Sequence, residues 1–233
     1  MKRALIIFTR VPIPGKTKTR LRQILTPEEC AEAHSAFLRD QIDACTRPDR
    51  WDLTVFFGSE GPLEVLRTLL PGQNEFEPQT GETLGERMEQ AIRSTLERGY
   101  DRCVLVGADL PELTADRIVE AFEALEESDA VLGPTADGGY YLVGCRRPCP
   151  ELFAGQSYVG NTVYEQTLRA ARDAGLVVRT VLPLQDMDEP QDLRELARRL
   201  QKKPETCCPD TRKFLRNLGW MPEERKPNDH YTS

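Results

Sequence analysis

Carboxylates stand at three points of the chain where an apolar run ends. Asp109 directly follows one run, Asp137 lies between two others, and Asp186 and Asp188 come after a fourth. A carboxylate beside a buried strand loses solvation, which costs free energy unless it is exposed, paired or bound to a metal. Mg²⁺ and Mn²⁺ prefer such oxygen ligands and bridge them to phosphates. Asp109 is therefore a candidate metal ligand, and one of Asp186 and Asp188 could reach the same ion.

Each of these carboxylates also has a simpler explanation. Asp109 precedes Pro111 by two residues and could accept N–H bonds in a turn. Asp188 precedes Pro190, as a residue that caps a helix often does. Asp137 with its two following glycines is a good turn sequence. The residues alone leave the structural and the functional interpretation open at all three points.

Positive charge is concentrated in the loop after the first apolar run. The chain has a formal net charge of -7, yet five cations fall within residues 10–22: Arg10, Lys16, Lys18, Arg20 and Arg22. Ligands of open α/β sheets bind beyond the carboxyl ends of the strands. A phosphate group would therefore meet these side chains first. The alternative is a solvated basic turn that opens a helix.

The sequence Gly15-Lys16-Thr17 in this loop is not a P-loop. That motif requires a glycine five positions before Gly15, where this chain has Arg10. Pro12 and Pro14 also remove two of the N–H donors on which such a loop depends. We therefore reject an ATPase of the P-loop kind.

Composition excludes several other classes of protein. The negative net charge argues against a nucleic-acid partner, because phosphate contacts from Lys and Arg supply most of that affinity. The first apolar run is too short for a signal peptide or a membrane span, so we expect a cytoplasmic protein. Seven cysteines and two histidines show no zinc-site spacing, and we interpret the cysteines as reduced thiols.

Apolar runs alternate with segments of helical periodicity along the chain. The order predicts an α/β fold with a mostly parallel sheet and helices on both faces. Strands are predicted at 4–8, 53–57, 103–107, 130–133, 140–144 and 177–182, with a hairpin at 130–144. Helices are predicted at 28–45, 84–97, 115–126, 162–174 and 190–200. We predict a single domain over residues 1–222 and a flexible tail over residues 223–233.

Five motifs in this order resemble the bacterial glycosyltransferase-like family known as domain of unknown function 2064, in the nucleotide-diphospho-sugar transferase superfamily. They are Arg10-Val-Pro-Ile-Pro-Gly-Lys-Thr-Lys-Thr-Arg-Leu21, Leu84-Gly-Glu-Arg-Met88, Gly107-Ala-Asp-Leu-Pro111, Asp137-Gly-Gly-Tyr-Tyr141 and Asp186-Met-Asp-Glu-Pro190. The resemblance implies a Rossmann-like sandwich of the GT-A type with a mixed central sheet.

The resemblance also implies roles for particular residues. It implies a divalent metal, Mg²⁺ or Mn²⁺, at Asp109 and Asp188. Lys16, Lys18 and Arg20 correspond to phosphate-facing positions. The remaining residues expected to bind substrate or nucleotide are Arg10, Gly15, Gly85, Arg87, Gly138, Gly139, Tyr140 and Tyr158. Tyr158 stands where the family usually has a tryptophan.

Glycosyl transfer from a nucleotide-diphospho-sugar to a small-molecule acceptor is the first function that the resemblance implies. Asp109 and Asp137 are then the candidate catalytic residues, with Asp137 as the base that takes the proton of the acceptor hydroxyl. The first alternative is nucleotidyl transfer, in which an NMP moves from an NTP to a phosphorylated small molecule. The second is a non-catalytic module that binds nucleotide sugars.

Overall fold

The structure is a computed structural model that describes residues 1–73, 75–158 and 161–222. Within these residues seven strands form one sheet. They are β1 (Arg3–Thr9), β2 (Asp52–Phe57), β3 (Phe76–Pro78), β4 (Arg102–Gly107), β5 (Ala130–Pro134), β6 (Tyr140–Cys145) and β7 (Val178–Thr180). Their order across the sheet is β3-β2-β1-β4-β6-β5-β7.

Helices connect most of these strands. They are α1 (Pro27–Cys45), α2 (Leu63–Leu69), α3 (Leu84–Glu97), α4 (Ala115–Ala124), α5 (Val163–Asp173), α6 (Pro190–Leu200) and α7 (Pro209–Asn217). A short 3-10 helix, Thr19–Gln23, follows the cationic loop. Among the described residues, none of the helices has the length and apolar character needed to cross a bilayer.

The sheet is mixed, as predicted. Strands β3, β2, β1 and β4 run parallel, and β7 runs parallel to β5. Strand β6 is antiparallel to both of its neighbours, β4 and β5. The hairpin predicted from the Asp-Gly-Gly turn is the β5–β6 pair. The fold class expected from the sequence is confirmed.

Alternate side chains of the central strand β1 enter different cores, which explains its continuous apolar run. Leu5 and Ile7 pack on one face with residues of α1, α2 and α4. Ile6 and Phe8 pack on the other face with residues of α3 and α5. Both faces of β1 are thus covered, and its carboxyl end is left to open into a crevice.

Helices α6 and α7 form an additional layer that packs on the outer side of α1. Asp40 of α1, a buried residue, caps α7 by accepting hydrogen bonds from the amides of Asp210 at 2.9 Å and Thr211 at 2.8 Å. Glu112, in the loop after β4, accepts hydrogen bonds from Arg199 and Lys203. This layer therefore anchors the segment that follows Asp109.

The sequence-based prediction differs from the structure at a few elements. It missed β3, α2 and α7, all of them short, and it made β7 longer than the three residues observed. The other predicted elements agree with the structure to within about two residues, an ordinary difference at element ends. The tail predicted to be flexible, residues 223–233, lies outside the described residues.

Candidate active site

The candidate site lies where the carboxyl ends of β1 and β4 meet. Phe8 of β1 is in register with Gly107 of β4, so the cationic loop and Asp109 leave the sheet side by side. Strand β1 lies between β2, the next strand of the chain, and β4, so the strand order changes direction at β1. Open α/β sheets bind ligands at such a switch point. A cavity of about 580 Å³ opens there.

Three kinds of side chain line this cavity. Its floor is polar and its rim is largely cationic, while one wall is apolar. The floor includes Lys18, His34, Asp109 and Asp188, the rim includes Arg10, Arg20, Glu60 and Arg87, and the wall includes Phe8, Leu84, Met88, Leu105, Tyr140 and Val143. Such a cavity suits a ligand that has an anionic part and a flat or apolar part.

A buried ammonium group joins the two carboxylates on the floor. The Lys18 Nζ donates hydrogen bonds to Asp188 Oδ1 at 2.9 Å and to the carbonyl oxygen of Met187 at 2.8 Å, and it forms an ion pair with Asp109 Oδ1 at 2.7 Å. The Lys18 side chain is 3% exposed, whereas those of Asp109 and Asp188 are 37% and 38% exposed. The carboxylates therefore converge on one cation and remain accessible from the cavity.

The backbone at Lys18 is unusual. Its φ of 50° and ψ of 39° are left-handed, a conformation that costs a non-glycine residue free energy. The conformation turns the chain into the 3-10 helix at Thr19–Gln23. On the other side of the ammonium, the amide of Met187 donates a 3.1 Å hydrogen bond to the carbonyl oxygen of Asp109. The segments that carry the two carboxylates are thus bonded directly to each other.

His34 of α1 also faces Asp109. Its Nδ1 lies 3.3 Å from Asp109 Oδ1, and its Nε2 lies 3.0 Å from Thr9 Oγ1 and 3.2 Å from the carbonyl oxygen of Arg10. Its side chain is 4% exposed. His34 could not be selected from the sequence, because it lies inside an amphipathic helix, 75 positions before Asp109 and outside every motif.

The charges on the floor shift the pKa values of its groups. Burial opposes ionisation of Asp109, but the Lys18 charge and the His34 contact outweigh burial and lower the pKa of this carboxyl well below its usual range. Burial likewise disfavours the charged Lys18, but Asp109 and Asp188 overcome this and raise its pKa. Asp186 differs, because burial and the charges of Asp188 and Asp137 raise its pKa to about 6.

The lysines and arginines predicted to bind substrate or nucleotide differ in where they lie relative to the cavity. Arg10 and Arg20 line the cavity with side chains 64% and 63% exposed, and each is near a carboxylate: Arg10 Nε lies 3.9 Å from Glu60, and Arg20 Nη1 lies 3.6 Å from Asp188 Oδ2. Arg87 also lines it and donates a hydrogen bond to the carbonyl oxygen of Gly81. Lys16 does not line it and donates to the carbonyl oxygen of Glu60. Lys18 lies on the floor, where its ammonium is paired with two carboxylates and a carbonyl oxygen. It is therefore not open to a phosphate, contrary to the prediction from the sequence.

The predicted glycines near the site have structural roles. Gly85 is buried, and a side chain there would lie 2.8 Å from the carbonyl oxygen of Phe153 and from the Tyr158 ring. Gly138 has a φ of 85°, and a Cβ would lie 1.9 Å from the carbonyl oxygen of Asn161. Gly15, with a φ of 78°, turns the cationic loop. Their binding roles stay predictions.

Asp137 and the two predicted tyrosines lie on the side of the β5–β6 hairpin. The Asp137 Oδ1 accepts hydrogen bonds from Thr135 Oγ1 and from the amide of Gly139, and the residue does not line the cavity. Tyr140 lines it, and its hydroxyl lies 3.0 Å from that of Tyr158. A catalytic role for Asp137 stays a prediction.

Asp109 and Asp188 are the side chains that could hold a divalent cation. Within the described part of the chain, no group of three or more His, Cys, Asp or Glu side chains is arranged around a metal position. Two carboxylates are nevertheless enough when substrate phosphates and water complete the coordination, as is usual for Mg²⁺. The residues present therefore fit a cation that arrives with a nucleotide.

The fold and the position of this cavity define the class of protein: an α/β protein with the fold of the nucleotide-diphospho-sugar transferases. The structure superposes on the crystal structure of a proposed nucleotide-diphospho-sugar transferase from Desulfovibrio desulfuricans G20 with a TM-score of 0.87 and 31% identity, over 94% of this chain and 97% of that one. It also shares the fold of a 4-diphosphocytidyl-2C-methyl-D-erythritol synthase from Anaerococcus prevotii, with a TM-score of 0.57, 8% identity, and 86% and 96% of the two chains covered.

Within that class, the family model described as an uncharacterized protein conserved in bacteria (DUF2064) matches residues 41–159. The chain belongs to this family, which confirms the resemblance given by its motifs. A further relative is a 2-phospho-L-lactate guanylyltransferase from Haloarcula marismortui, which is 30% identical over 190 residues, 80% of this chain and 83% of that protein.

Replacement of Lys18 tests the electrostatics of the floor. We expect Lys18→Met to lower the free energy of unfolding at pH 7 by about 3 kcal/mol, because it leaves two neighbouring carboxylates without their buried cation. In the parent protein the lowered Asp109 pKa contributes stability above pH ~4, and this contribution disappears as the pH falls through the folded-state pKa. In Lys18→Met the Asp109 pKa rises instead. Protonation of this carboxyl at acid pH then removes the cost of the unpaired charge, and the difference in the free energy of unfolding between the two proteins shrinks.

Urea unfolding of both proteins between pH 4.5 and 8 measures this difference. Lys16→Met, in the same loop but with its ammonium exposed, is the matched control and is expected to change stability by less than about 0.5 kcal/mol. A Lys18→Met protein as stable as the control at every pH would contradict this account of the floor.

Proposed function

We propose that this protein is a metal-dependent nucleotidyltransferase that moves an NMP group from an NTP, GTP in the first instance, to a phosphorylated small molecule. This is the first alternative raised by the sequence, and we prefer it to glycosyl transfer. The preference comes from the similar protein named as a guanylyltransferase. The shared fold alone would allow either reaction.

The observation that carries the proposal is the Lys18 ammonium between Asp109 and Asp188. The ammonium keeps Asp109 ionised and holds two carboxylates a few ångströms apart beside an open cavity. An oxygen-seeking cation would be held by the carboxylate oxygens that Lys18 does not use. When bound, such a cation supplies charge neutralisation for the phosphates and for the leaving pyrophosphate.

The cationic rim suits a triphosphate. Arg10 and Arg20 line the cavity with side chains that are about two thirds exposed although each is near a carboxylate, and Arg87 lines it from α3. Guanidinium groups recognise phosphate oxygens in a planar, two-pronged geometry. The apolar wall formed by Phe8, Leu105 and neighbouring residues offers a surface for the nucleoside.

The transfer itself makes one phosphorus–oxygen bond and breaks another. An oxygen of the acceptor phosphate attacks the α-phosphorus, the bond from that phosphorus to the oxygen bridging to the β-phosphate breaks, and pyrophosphate leaves. A phosphate monoester is already mostly ionised at pH 7, with a second pKa of about 6. The residues of this chain therefore have to align and neutralise the reactants, and a side-chain base is not required.

A pyrophosphate-release assay tests the proposal. Each of the four NTPs is incubated with Mg²⁺ and with 2-phospho-L-lactate or another small phosphorylated acid. We expect release to require GTP, acceptor and Mg²⁺ together, and to fall about 100-fold or more in Asp109→Asn. UDP- and GDP-sugars with hydroxyl acceptors form the opposing arm. Nucleoside diphosphate released in that arm, with no pyrophosphate from any NTP, would establish glycosyl transfer instead.

Asp137→Asn separates the two reactions by a different route. The asparagine keeps an Oδ1 that accepts the bonds from Thr135 and Gly139, so the turn is expected to be retained. We expect the variant to keep kcat for the nucleotidyl transfer within about threefold, because an ionised phosphate needs no base. A loss of about 10²-fold or more, the usual effect of removing a general base, would instead favour a hydroxyl acceptor.

A further inference from the structure

His34 belongs to α1, yet its ring forms part of the cavity floor. The Nε2 atom contacts the end of β1, at Thr9 Oγ1 and the carbonyl oxygen of Arg10. The Nδ1 atom contacts Asp109, beyond the end of β4. One side chain therefore joins the two segments whose carboxyl ends create the crevice.

The ring also determines which part of Asp109 is exposed. Asp109 Oδ1 is buried between the Lys18 ammonium at 2.7 Å and His34 Nδ1 at 3.3 Å, and in the described part of the chain neither Asp109 Oδ1 nor His34 Nδ1 has another hydrogen-bond partner. In the tautomer that carries its proton on Nδ1, the ring directs this N–H at Asp109 Oδ1, and Nε2 can accept from Thr9 Oγ1. Because the side chain as a whole is 37% exposed, the exposure comes from its other atoms, and Oδ2 is the oxygen open to the cavity.

Lys18 does not fix this orientation by itself. Its ammonium is shared with Asp188 and with the carbonyl oxygen of Met187, and a point charge can pair equally well with either oxygen of the Asp109 carboxylate. The terminal torsion of an aspartate has a broad, roughly twofold preference and needs external contacts to hold it. His34 supplies a second contact, from a rigid helix, on the side of Asp109 away from solvent.

We propose that His34 is a positioning residue that holds Asp109 Oδ1 in the floor of the cavity and thereby presents Oδ2 to a divalent cation. The proposal deepens the proposed function and rests on it. Groups that orient a metal ligand usually change metal affinity by about 10–100-fold when they are removed.

Two variants of similar shape separate the two sides of the ring. The amide nitrogen of asparagine can take the place of Nδ1, so His34→Asn can keep the contact with Asp109 and lose the one with Thr9. The amide group of glutamine can reach the place of Nε2, so His34→Gln can keep the contact with Thr9 and lose the one with Asp109. Ser35→Ala is the matched control, since Ser35 donates within α1 to the carbonyl oxygen of Ala31.

Mn²⁺ titrated into the full chain and followed by electron paramagnetic resonance measures the affinity without any turnover. We expect His34→Gln to bind Mn²⁺ about 10–100-fold more weakly than the parent, and His34→Asn and Ser35→Ala to stay close to the parent. We expect His34→Asn to raise the KM for GTP, because it frees the loop at Arg10. Thermal unfolding checks that each variant folds, and His34→Ala, with the same expected Mn²⁺ loss, replaces His34→Gln if that variant does not.

Equal Mn²⁺ affinity in all the proteins, or equal losses in His34→Asn and His34→Gln, would overturn the positioning role. Absence of Mn²⁺ binding by the parent would overturn it too. The expected pattern of Mn²⁺ affinities without pyrophosphate release from any NTP would leave the role of His34 intact and remove the proposed function alone.

Discussion

The Lys18 ammonium between Asp109 and Asp188 is the interaction on which the rest of the site depends. Two carboxylates this close repel each other, and burial of an unpaired charge costs several kcal/mol. A single lysine that pairs with both carboxylates and donates to the carbonyl oxygen of Met187 removes both penalties. The left-handed backbone at Lys18 indicates that the surrounding structure overcomes local strain to keep this arrangement.

The fold supplies the rigid parts that hold Lys18, Asp109 and Asp188 together. Adjacent parallel strands β1 and β4 bring the cationic loop and Asp109 to one edge of the sheet. The hydrogen bond between Met187 and Asp109 ties in the segment that carries Asp188. Glu112, bound by Arg199 and Lys203, anchors the chain just after Asp109 to the outer helical layer. The segments that carry Lys18, Asp109 and Asp188 are therefore each held by hydrogen bonds or strand pairing to another part of the molecule.

Periodicity and the order of elements were enough to predict the sheet, its hairpin and most of the helices. Asp109 and Asp188 could be selected because each stands beside a turn after an apolar run. The role of Lys18 could not, because a lysine in a basic loop is the same in sequence whether it faces solvent or a buried carboxylate. His34 was missed for a related reason: only the packing of α1 against β1 and β4 brings it to Asp109.

The most direct test of the account is a crystal structure of the full chain with Mn²⁺ and a non-hydrolysable GTP analogue, with anomalous difference maps at the manganese edge. We expect a manganese peak within coordination distance of one oxygen each of Asp109 and Asp188, with phosphate oxygens completing the coordination. A peak elsewhere in the molecule, or a bound nucleotide whose phosphates lie away from both carboxylates, would contradict it.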